Sequence, residues 1–319
     1  MKRVSKWTRA AMQVGMAMVV AGFMGACTDK DVDETPAPQT ITDVVLANND
    51  FSILRAAVQH AGLADALRGG TLTVFAPNDA AFKASGFADA AAITALPAAT
   101  VKSVLQYHVL GSTVTASQIA VGTNSAVPTL GGMNVYVSKP AASSGVSVNN
   151  ARVTTADVQA ANGVIHIIDR VMMPATQNLL EIAQGNPNFT YLVAAATRAA
   201  SSNPGIVAAL TSATDAFTVF APTNDAFIAA GFPTIAAIQA ADAATLAAVI
   251  LNHVVPGRAF SPILTAGNVK TAGGGDVMVD VANGVTVKGK SNKDASKVVT
   301  ADILATNGVV HVIDRVLLP

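Results

Sequence analysis

Apolar residues recur at helical spacing in two stretches of the chain, one near residue 51 and one near residue 189. The first set is Phe51, Ile53, Leu54, Ala57, Val58, Ala61 and Leu63, and the second is Phe189, Leu192, Val193 and Ala196. Residues three and four apart share one face of a helix, so both sets predict core-facing helices. Short apolar runs at 72–75 and 217–220 then end in Ala-Pro and a cluster of Asn, Asp and Thr. This order predicts a strand followed by a capped helix.

The later part of each half has a β-type pattern. Each half contains a short apolar run among glycines, an Asn-Gly pair and a nearly all-apolar run; these are 135–137, Asn162-Gly163 and 164–171, then 277–279, Asn307-Gly308 and 309–316. Asn and Gly tolerate positive φ, so the pairs predict type I′ hairpin turns. The run after each turn predicts a central strand covered on both faces.

The matching segments lie at a constant offset. Residues 73–77, Thr-Val-Phe-Ala-Pro, recur at 218–222, and the block at 162–171 recurs at 307–316, in both cases 145 residues later. Solenoid units recur every ~20 to 50 residues, whereas about 145 residues suffice for a domain with its own core. We therefore predict two tandem domains, at 40–174 and 175–319.

These blocks resemble the fasciclin family. The resemblance rests on residues 73–82, on Tyr107-His108-Val109-Leu110 and on residues 162–171, and on their counterparts at 218–227, 253–255 and 307–316. It implies an α+β fold of two tandem FAS1-like domains, each a twisted β-sheet wedge or sandwich with several helices. It also implies roles in adhesion or matrix association and no common catalytic activity.

The resemblance also points to binding residues. In animal relatives the tyrosine-histidine element is linked to cell-surface receptor binding, which implies such a role for Tyr107 and His108, and for His253 in the second half. Asn252 stands where the second half would carry the tyrosine.

The four paired histidines have two interpretations. His108 matches His253 and His166 matches His311, so each half keeps a pair that two metal ligands would require. No carboxylate, cysteine or third histidine accompanies them at ligand spacing, and we expect no metal. The favoured interpretation is structural, with each ring bonded to backbone carbonyls or a carboxylate at a helix end or inside the sheet.

Two pairs of aspartates also recur. Asp169 and Asp314 precede arginines in the apolar runs, where neighbouring residues face opposite sides of a strand and should not pair with each other. We expect these carboxylates to tie down a local turn or helix start. Asp157 and Asp302, in Thr-Ala-Asp, are expected to stabilise turns or hairpins.

The first residues have the pattern of an export signal. Lys2, Arg3, Lys6 and Arg9 precede an uncharged run at 10–26. Met24-Gly-Ala-Cys27 resembles the lipobox of bacterial lipoproteins and contains the single cysteine of the chain. We predict a lipoprotein signal peptide at 1–26, lipidation of Cys27 and an acidic, proline-containing tether at 27–39, the alternative being a free thiol near a disordered end.

The net charge and the absence of common catalytic motifs argue against two classes of function, nucleic-acid binding and catalysis. Without residues 1–26 the chain keeps 16 basic and 20 acidic residues, which argues against nucleic acid as a partner. Gly-x-Ser-x-Gly, a glycine-rich phosphate loop and His-Glu-x-x-His do not occur in the sequence. We therefore expect neither an enzyme nor a cofactor.

Three functions remain open. The favoured one is an adhesion or matrix-binding module with a cell-surface, polysaccharide or protein partner, and the alternatives are a small-ligand-binding lipoprotein and a structural envelope protein. Since Thr28 rather than aspartate follows Cys27, the expected location is the outer membrane, facing either side. The segment 201–205 and the lysine-rich stretch 288–297 occur only in the second half and are candidate places for partner choice. The oligomeric state is left open.

Overall fold

A computed structural model of the chain describes residues 38–141 and 145–319. The predicted signal peptide, Cys27 and most of the predicted tether lie outside these residues. Within the described ranges, no helix combines the length and apolar character needed to cross a bilayer.

Helices and strands occur in the same order in both halves, here called the first and second repeat. The first repeat contains α1 (Ile41–Ala47), α2 (Ser52–His60), β1 (Leu72–Pro77), α3 (Asp79–Ala84), α4 (Ala90–Thr94), α5 (Ala98–Tyr107), β2 (Val109–Leu110), β3 (Gly122–Pro128), β4 (Asn134–Lys139), β5 (Ser147–Val148), β6 (Ala151–Ala160) and β7 (Gly163–Ile168). The predicted helix near residue 51 and the strands near residues 72 and 135 are therefore present.

The second repeat adds one helix to this order. It contains α6 (Leu179–Gly185), α7 (Thr190–Ala200), α8 (Gly205–Thr211), β8 (Phe217–Pro222), α9 (Asn224–Ala229), α10 (Ile235–Ala240), α11 (Ala243–Asn252), β9 (Val254–Pro256), β10 (Gly267–Lys270), β11 (Asp276–Asp280), β12 (Thr286–Gly289), β13 (Ser296–Ala305) and β14 (Gly308–Ile313). The extra helix is α8, which follows the segment 201–205 and buries Ile206 and Leu210 in the core. The segment 201–205 itself is mostly exposed, and partner choice there stays a prediction.

Each repeat forms one seven-stranded mixed sheet. The strand order is β2-β1-β7-β6-β5-β4-β3 in the first repeat, and β9-β8-β14-β13-β12-β11-β10 follows the same path in the second. The pairs β1–β7 and β8–β14 are parallel, while their neighbours are antiparallel. The expected α+β fold is confirmed.

Hydrophobic packing lies on both faces of the central strands. Val74 and Ile165 pack with the helices, whereas Phe75 and Ile168 pack with the later strands of the sheet. All six residues of β14 are buried, as a strand covered on both faces requires. The prediction of a central apolar strand is confirmed, although β7 ends at Ile168.

Side-chain caps start the first helix of each repeat. Thr40 and Asp43 form a capping box on α1, and Asn178 and Glu181 form one on α6. In such a box each side chain accepts a hydrogen bond from the other residue's backbone N–H group, which satisfies two donors that the helix leaves free.

The hairpin before each central strand differs from the predicted type I′ turn. Ala160 pairs with Gly163, so the turn residues are Ala161 and Asn162, and neither has positive φ. The glycine meets a different need, because a Cβ atom at Gly163 would lie 1.9 Å from the carbonyl oxygen of Leu72 on the parallel neighbour. Close approach of two strands, rather than turn geometry, explains this glycine.

The asparagine of the same pair ties the helices to the sheet. Asn162 Oδ1 accepts a hydrogen bond from the Ile41 N–H group at 2.8 Å, and its Nδ2 donates to the Leu67 carbonyl at 2.9 Å. Asn307 forms the corresponding bonds with Leu179 and Leu210. The Asn-Gly pair therefore joins the start of each repeat to its last strand.

Candidate binding surface

The paired histidines at the helix ends are buried and fully bonded. His108 and His253 are 2% and 1% exposed. Nδ1 of His108 donates to the Val104 carbonyl at 2.7 Å, and Nε2 accepts from the Met172 N–H group at 3.0 Å. His253 bonds to Val249 and Leu317 in the same way. Burial lowers the pKa of both histidines to about 4, against the opposing effect of the helix carbonyl.

Tyr107 is also enclosed, between the helix α5 and the sheet. Its hydroxyl donates to the Asn134 carbonyl at 2.9 Å and accepts from Asn149 Nδ2 at 2.9 Å. Burial raises the pKa of Tyr107 to about 12, although the Asn149 bond acts in the opposite direction. In the second repeat Asn252 occupies this place and its Nδ2 donates to the Leu317 carbonyl at 3.2 Å.

The three residues expected to bind a partner are not on the surface. The structure places Tyr107, His108 and His253 inside the fold, with their polar atoms bonded to the protein itself. They are not brought together into one surface site. A binding role for the three residues stays a prediction, and in this fold it would act through the backbone that they hold.

The second pair of histidines lies in the central strands. His166 Nε2 donates to the Val114 carbonyl at 2.9 Å, while Nδ1 faces the Asp157 N–H group at 3.3 Å. His311 repeats both contacts with Ala259 and Asp302. Burial lowers the pKa of His311, and the nearby Asp302 opposes this. The structural interpretation of all four histidines is confirmed by their backbone bonds.

Asp157 and Asp302 hold bulges in the long strands β6 and β13. They have φ of 59° and 64°, and the pairing register shifts beside them. Asp157 Oδ1 accepts from the Ala116 N–H group at 2.8 Å, and Asp302 Oδ1 accepts from the Ser261 N–H group at 2.7 Å. The two carboxylates thus stabilise a strand bulge and tether a loop, where we predicted a turn or hairpin.

Asp169 and Asp314 lie just past the central strands rather than within them. Asp169 Oδ1 accepts from the Arg152 N–H group at 2.7 Å, and Asp314 Oδ1 accepts from the Lys297 N–H group at 2.7 Å. Each carboxylate thus fixes the start of a strand, β6 or β13, where we predicted a turn or a helix start.

A joint between the two repeats is built around one cation and two aromatic rings. The Arg258 guanidinium carbon lies 4.3 Å from the ring centroid of Tyr136, and the Tyr136 and Phe260 rings are 6.2 Å apart. Asn124 Nδ2 donates to the Arg258 carbonyl. Burial lowers the pKa of Arg258, although both Tyr136 and Tyr107 oppose this. A cation on an aromatic face gains stability when water is excluded.

The residues of this joint are not shared by the repeats. Thr73 Oγ1 accepts a hydrogen bond from the Val114 N–H group, and Thr218 Oγ1 accepts the matching bond from the Ala259 N–H group. These bonds align Arg258 with Thr113 and Phe260 with Thr115. Strand pairing aligns Tyr136 with Met278. The joint was not predicted from the sequence because its residues are not retained in both repeats. An arginine and two aromatic residues present in only one repeat were the available signal.

The face of the second sheet that carries Met278, here called its outer face, is open. The corresponding face of the first sheet, which carries Tyr136, is covered by Arg258 and Phe260. Met278 is 52% exposed there. A groove of about 590 Å³ runs beside it, with a lining formed by Asn268, Gly274, Gly275, Asp276, Met278, Lys288, Gly289 and Lys290. The groove includes part of the lysine-rich stretch that the sequence singled out.

The apolar cavities under the helices are small. One in the second repeat, beside Leu179 and His253, has a volume of about 30 Å³, and one in the first, beside Ala57 and His108, has about 20 Å³. A more open recess near Phe75 in the first repeat reaches about 200 Å³. Ligand pockets usually measure ~300 to 1,000 Å³.

Comparison with known proteins identifies relatives in several organisms. Protein sll1483 of Synechocystis sp. is 37% identical over 154 residues, which cover 48% of this chain and 79% of that protein. Transforming growth factor-beta-induced protein ig-h3 of Sus scrofa is 34% identical over 54% of this chain, a match that spans only 24% of its own length. Cell surface glycolipoprotein MPB83 of Mycobacterium bovis is 38% identical over 36% of this chain and 49% of its own.

A solved structure is also similar. It is a FAS1 domain pair from the insect cell adhesion molecule fasciclin I, which aligns with a TM-score of 0.40 and 18% sequence identity over 87% of this chain and 96% of that chain.

The family comparison covers both repeats. The fasciclin domain family model matches residues 49–174 and 187–319, which together make up more than half of the sequence. The chain belongs to the fasciclin domain family.

Proposed function

We propose that this protein is an adhesion or matrix-binding module of the bacterial envelope, held to the membrane by a lipid on Cys27. The observation that carries the proposal is a tandem pair of fasciclin domains behind the sequence Met24-Gly-Ala-Cys27. More than one acyl chain at Cys27 would make the attachment stable. The outer membrane is the proposed location, because Thr28 follows the cysteine.

Relatives support the adhesive part of the proposal. Fasciclin domains are linked to cell adhesion in related proteins, and MPB83, a bacterial relative, is named a cell surface glycolipoprotein. The joint at Arg258 and Tyr136 gives the two domains one packed arrangement, so both are carried together on a single tether. Two weak binding contacts on one chain give a higher overall affinity, because the first contact raises the effective concentration for the second.

We propose no catalytic role for the retained histidines. A general base needs a ring nitrogen free to take a proton from a substrate. In His108, His253, His166 and His311 both ring nitrogens are bonded to backbone groups. The family itself is adhesive or structural rather than enzymatic.

The small-ligand alternative has less support. It needs a preformed apolar pocket with a few polar groups. The apolar cavities at about 30 and 20 Å³ hold at most a water molecule or two, and the recess near Phe75 is below the usual range.

Attachment of living cells tests the adhesive function. A deletion strain of the producing bacterium is compared with the same strain carrying the parent gene or the Cys27→Ser variant. We expect the parent to restore attachment to a surface coated with extracellular matrix from the same bacterium. Equal attachment by the deletion and parent strains would overturn the adhesive function.

Fractionation tests the anchor separately. We expect the parent protein in the outer-membrane fraction and the Cys27→Ser variant in the soluble fraction. If the variant fractionates with membranes as the parent does, the lipid anchor is wrong, whatever the attachment assay shows.

A further inference from the structure

We propose that the outer face of the second sheet, formed by β10, β11 and β12, binds an acidic polysaccharide chain. This inference rests on the proposed adhesive function and names the ligand class and its site. The site is the groove of about 590 Å³ beside Met278. Its size lies within the range of ligand-binding clefts.

Strand register brings lysines from three strands and the adjoining loop to this face. Residues directly opposite on paired strands share a face of the sheet. One row across the strands is Asn268, Met278 and Lys288; a second contains Lys270 and Asp276, with Lys290 just beyond β12; a third contains Asp280, Thr286 and Lys297. Lysines therefore outnumber carboxylates on the face.

Most of these lysines are available to a ligand. Lys270 Nζ lies 3.0 Å from Asp276 and is already paired. Lys288, Lys290 and Lys297 have no carboxylate within 4.0 Å among residues 38–141 and 145–319. Three ammonium groups without an ion-pair partner on one face attract a chain with repeated negative charges.

Part of the face is held in place by the inserted loop that follows β12. Asn292 Nδ2 donates to the Val316 carbonyl at 2.8 Å, and Asn292 Oδ1 accepts from the Leu318 N–H group at 2.8 Å. The loop carries Lys290 and Lys293. A fixed backbone lowers the entropy lost when such side chains bind a ligand.

The first repeat shows that this face can receive a partner. There Tyr136 lies under Arg258 and beside Phe260 of the second repeat. In the second repeat the aligned residue is Met278, and Lys288 lies directly opposite it on β12. An arginine placed over Met278 as Arg258 is placed over Tyr136 would meet a like charge at Lys288, which opposes a repeat of the same contact. The substitutions favour an anionic occupant instead.

The groove suits a hydroxyl-rich chain better than a folded protein. Protein interfaces depend on large buried anchors, above all aromatic residues and arginine. This groove offers Met278 as its single large apolar side chain, together with the backbone of Gly274 and Gly275 and the amide of Asn268. Amide and backbone groups hydrogen-bond to sugar hydroxyls, while the lysines pair with carboxylates or sulfates.

Binding of the full-length protein to defined polymers tests the proposal. Immobilised polygalacturonate and dextran sulfate serve as acidic probes, neutral dextran as the uncharged one and phosphatidylglycerol vesicles as an anionic membrane. The test variant is Lys288→Gln with Lys290→Gln. The matched control is Lys83→Gln with Lys102→Gln, which removes the same charge from exposed helical positions of the first repeat.

We expect saturable, salt-sensitive binding to at least one acidic polysaccharide and none to dextran. The groove variant should bind about tenfold more weakly or worse, while the control pair keeps parental affinity. Equal weakening by both pairs would show a net-charge effect and overturn the site. Binding to vesicles alone would overturn the polysaccharide. The attachment assay distinguishes failure of this inference from failure of the proposed function. If cells carrying the groove variant attach like the parent, the groove is not the adhesive site, although the adhesive function itself is not contradicted.

Discussion

His108 Nε2 accepts a hydrogen bond from the backbone N–H group of Met172, 64 residues further along the chain, at 3.0 Å. The second repeat contains the same bond between His253 and Leu317 at 2.8 Å. In both repeats a histidine at the end of a helix therefore holds the segment that leaves the central strand. Nε2 can accept this hydrogen bond only while the imidazole is neutral, because both ring nitrogens of a protonated histidine are donors.

Acidification should destabilise the protein through these two histidines. Their pKa is about 4 in the fold against an ordinary value of 6.5, so they stay neutral when folded but take up protons on unfolding. Stability is therefore complete above pH 6.5 and falls as the pH drops towards 4. Each histidine should contribute a loss of about 2 kcal/mol in the free energy of unfolding between pH 7 and pH 5. Urea titrations at the two pH values measure the loss.

Removal of one titrating group provides the control for this experiment. His253→Gln should be less stable than the parent at pH 7, because the buried bonds to Val249 and Leu317 are disturbed. It should nevertheless lose about 2 kcal/mol less between pH 7 and pH 5. The same pH dependence in parent and variant would contradict the assignment.

Tyr136→Ala should loosen the joint between the repeats. The change removes the ring under Arg258 and beside Phe260, at an expected cost of about 2 kcal/mol. We expect calorimetry to show separate unfolding of the two repeats and X-ray scattering to show a larger radius of gyration. Met278→Ala, at the aligned exposed position, should change neither. An equal effect of both substitutions would refute a specific joint.

Gly308→Ala should prevent normal pairing of the central strand. The added Cβ atom would lie 2.0 Å from the Phe217 carbonyl oxygen, so β14 and β8 must separate. We expect a loss of about 3 kcal/mol or more in the free energy of unfolding. Gly69→Ala meets nothing within 4 Å and should change it by less than about 0.5 kcal/mol. Similar melting temperatures for both variants would disprove the steric argument.

Tyr107→Phe should destabilise the first repeat without changing its shape. The variant leaves Asn149 Nδ2 buried without its hydroxyl partner, which costs about 1 to 3 kcal/mol. Tyr191→Phe removes an exposed hydroxyl bond to the Pro233 carbonyl and should cost about 0.5 kcal/mol or less. Chemical unfolding of both variants measures the difference, and equal losses would argue against the buried network.

Several features of the fold were predictable because they depend on local pattern. Helical spacing around Phe51 and the all-apolar runs after the Asn-Gly pairs correspond to α2, β7 and β14. The structural role of the histidines followed from their occurrence without accompanying metal ligands. The type I′ turn was wrong, because the same Asn-Gly pair is required by a parallel strand and by a helix start far away in sequence.

The candidate surface was less predictable. Residues retained in both repeats, such as the buried His108 and the half-buried Asp169, hydrogen-bond to the backbone of the protein itself, whereas the exposed Met278 and the half-buried Lys288 differ between the repeats. The expectation that the lysine-rich stretch selects a partner agrees with the groove, and its ligand remains our proposal. The lipid on Cys27 lies outside the described residues and stays a proposal as well.

The sequence by itself determined the duplication, the resemblance to the fasciclin family and the order of the elements that it predicted, since each depends on short patterns repeated at a constant offset. Tertiary structure alone decided which outer face of the two sheets is covered. Asn124 and Arg258 meet although they are 134 residues apart in sequence, and no local pattern encodes that contact. The reason is physical: periodicity sets which side of an element is apolar, but the packing of whole domains sets which polar side remains open to a partner.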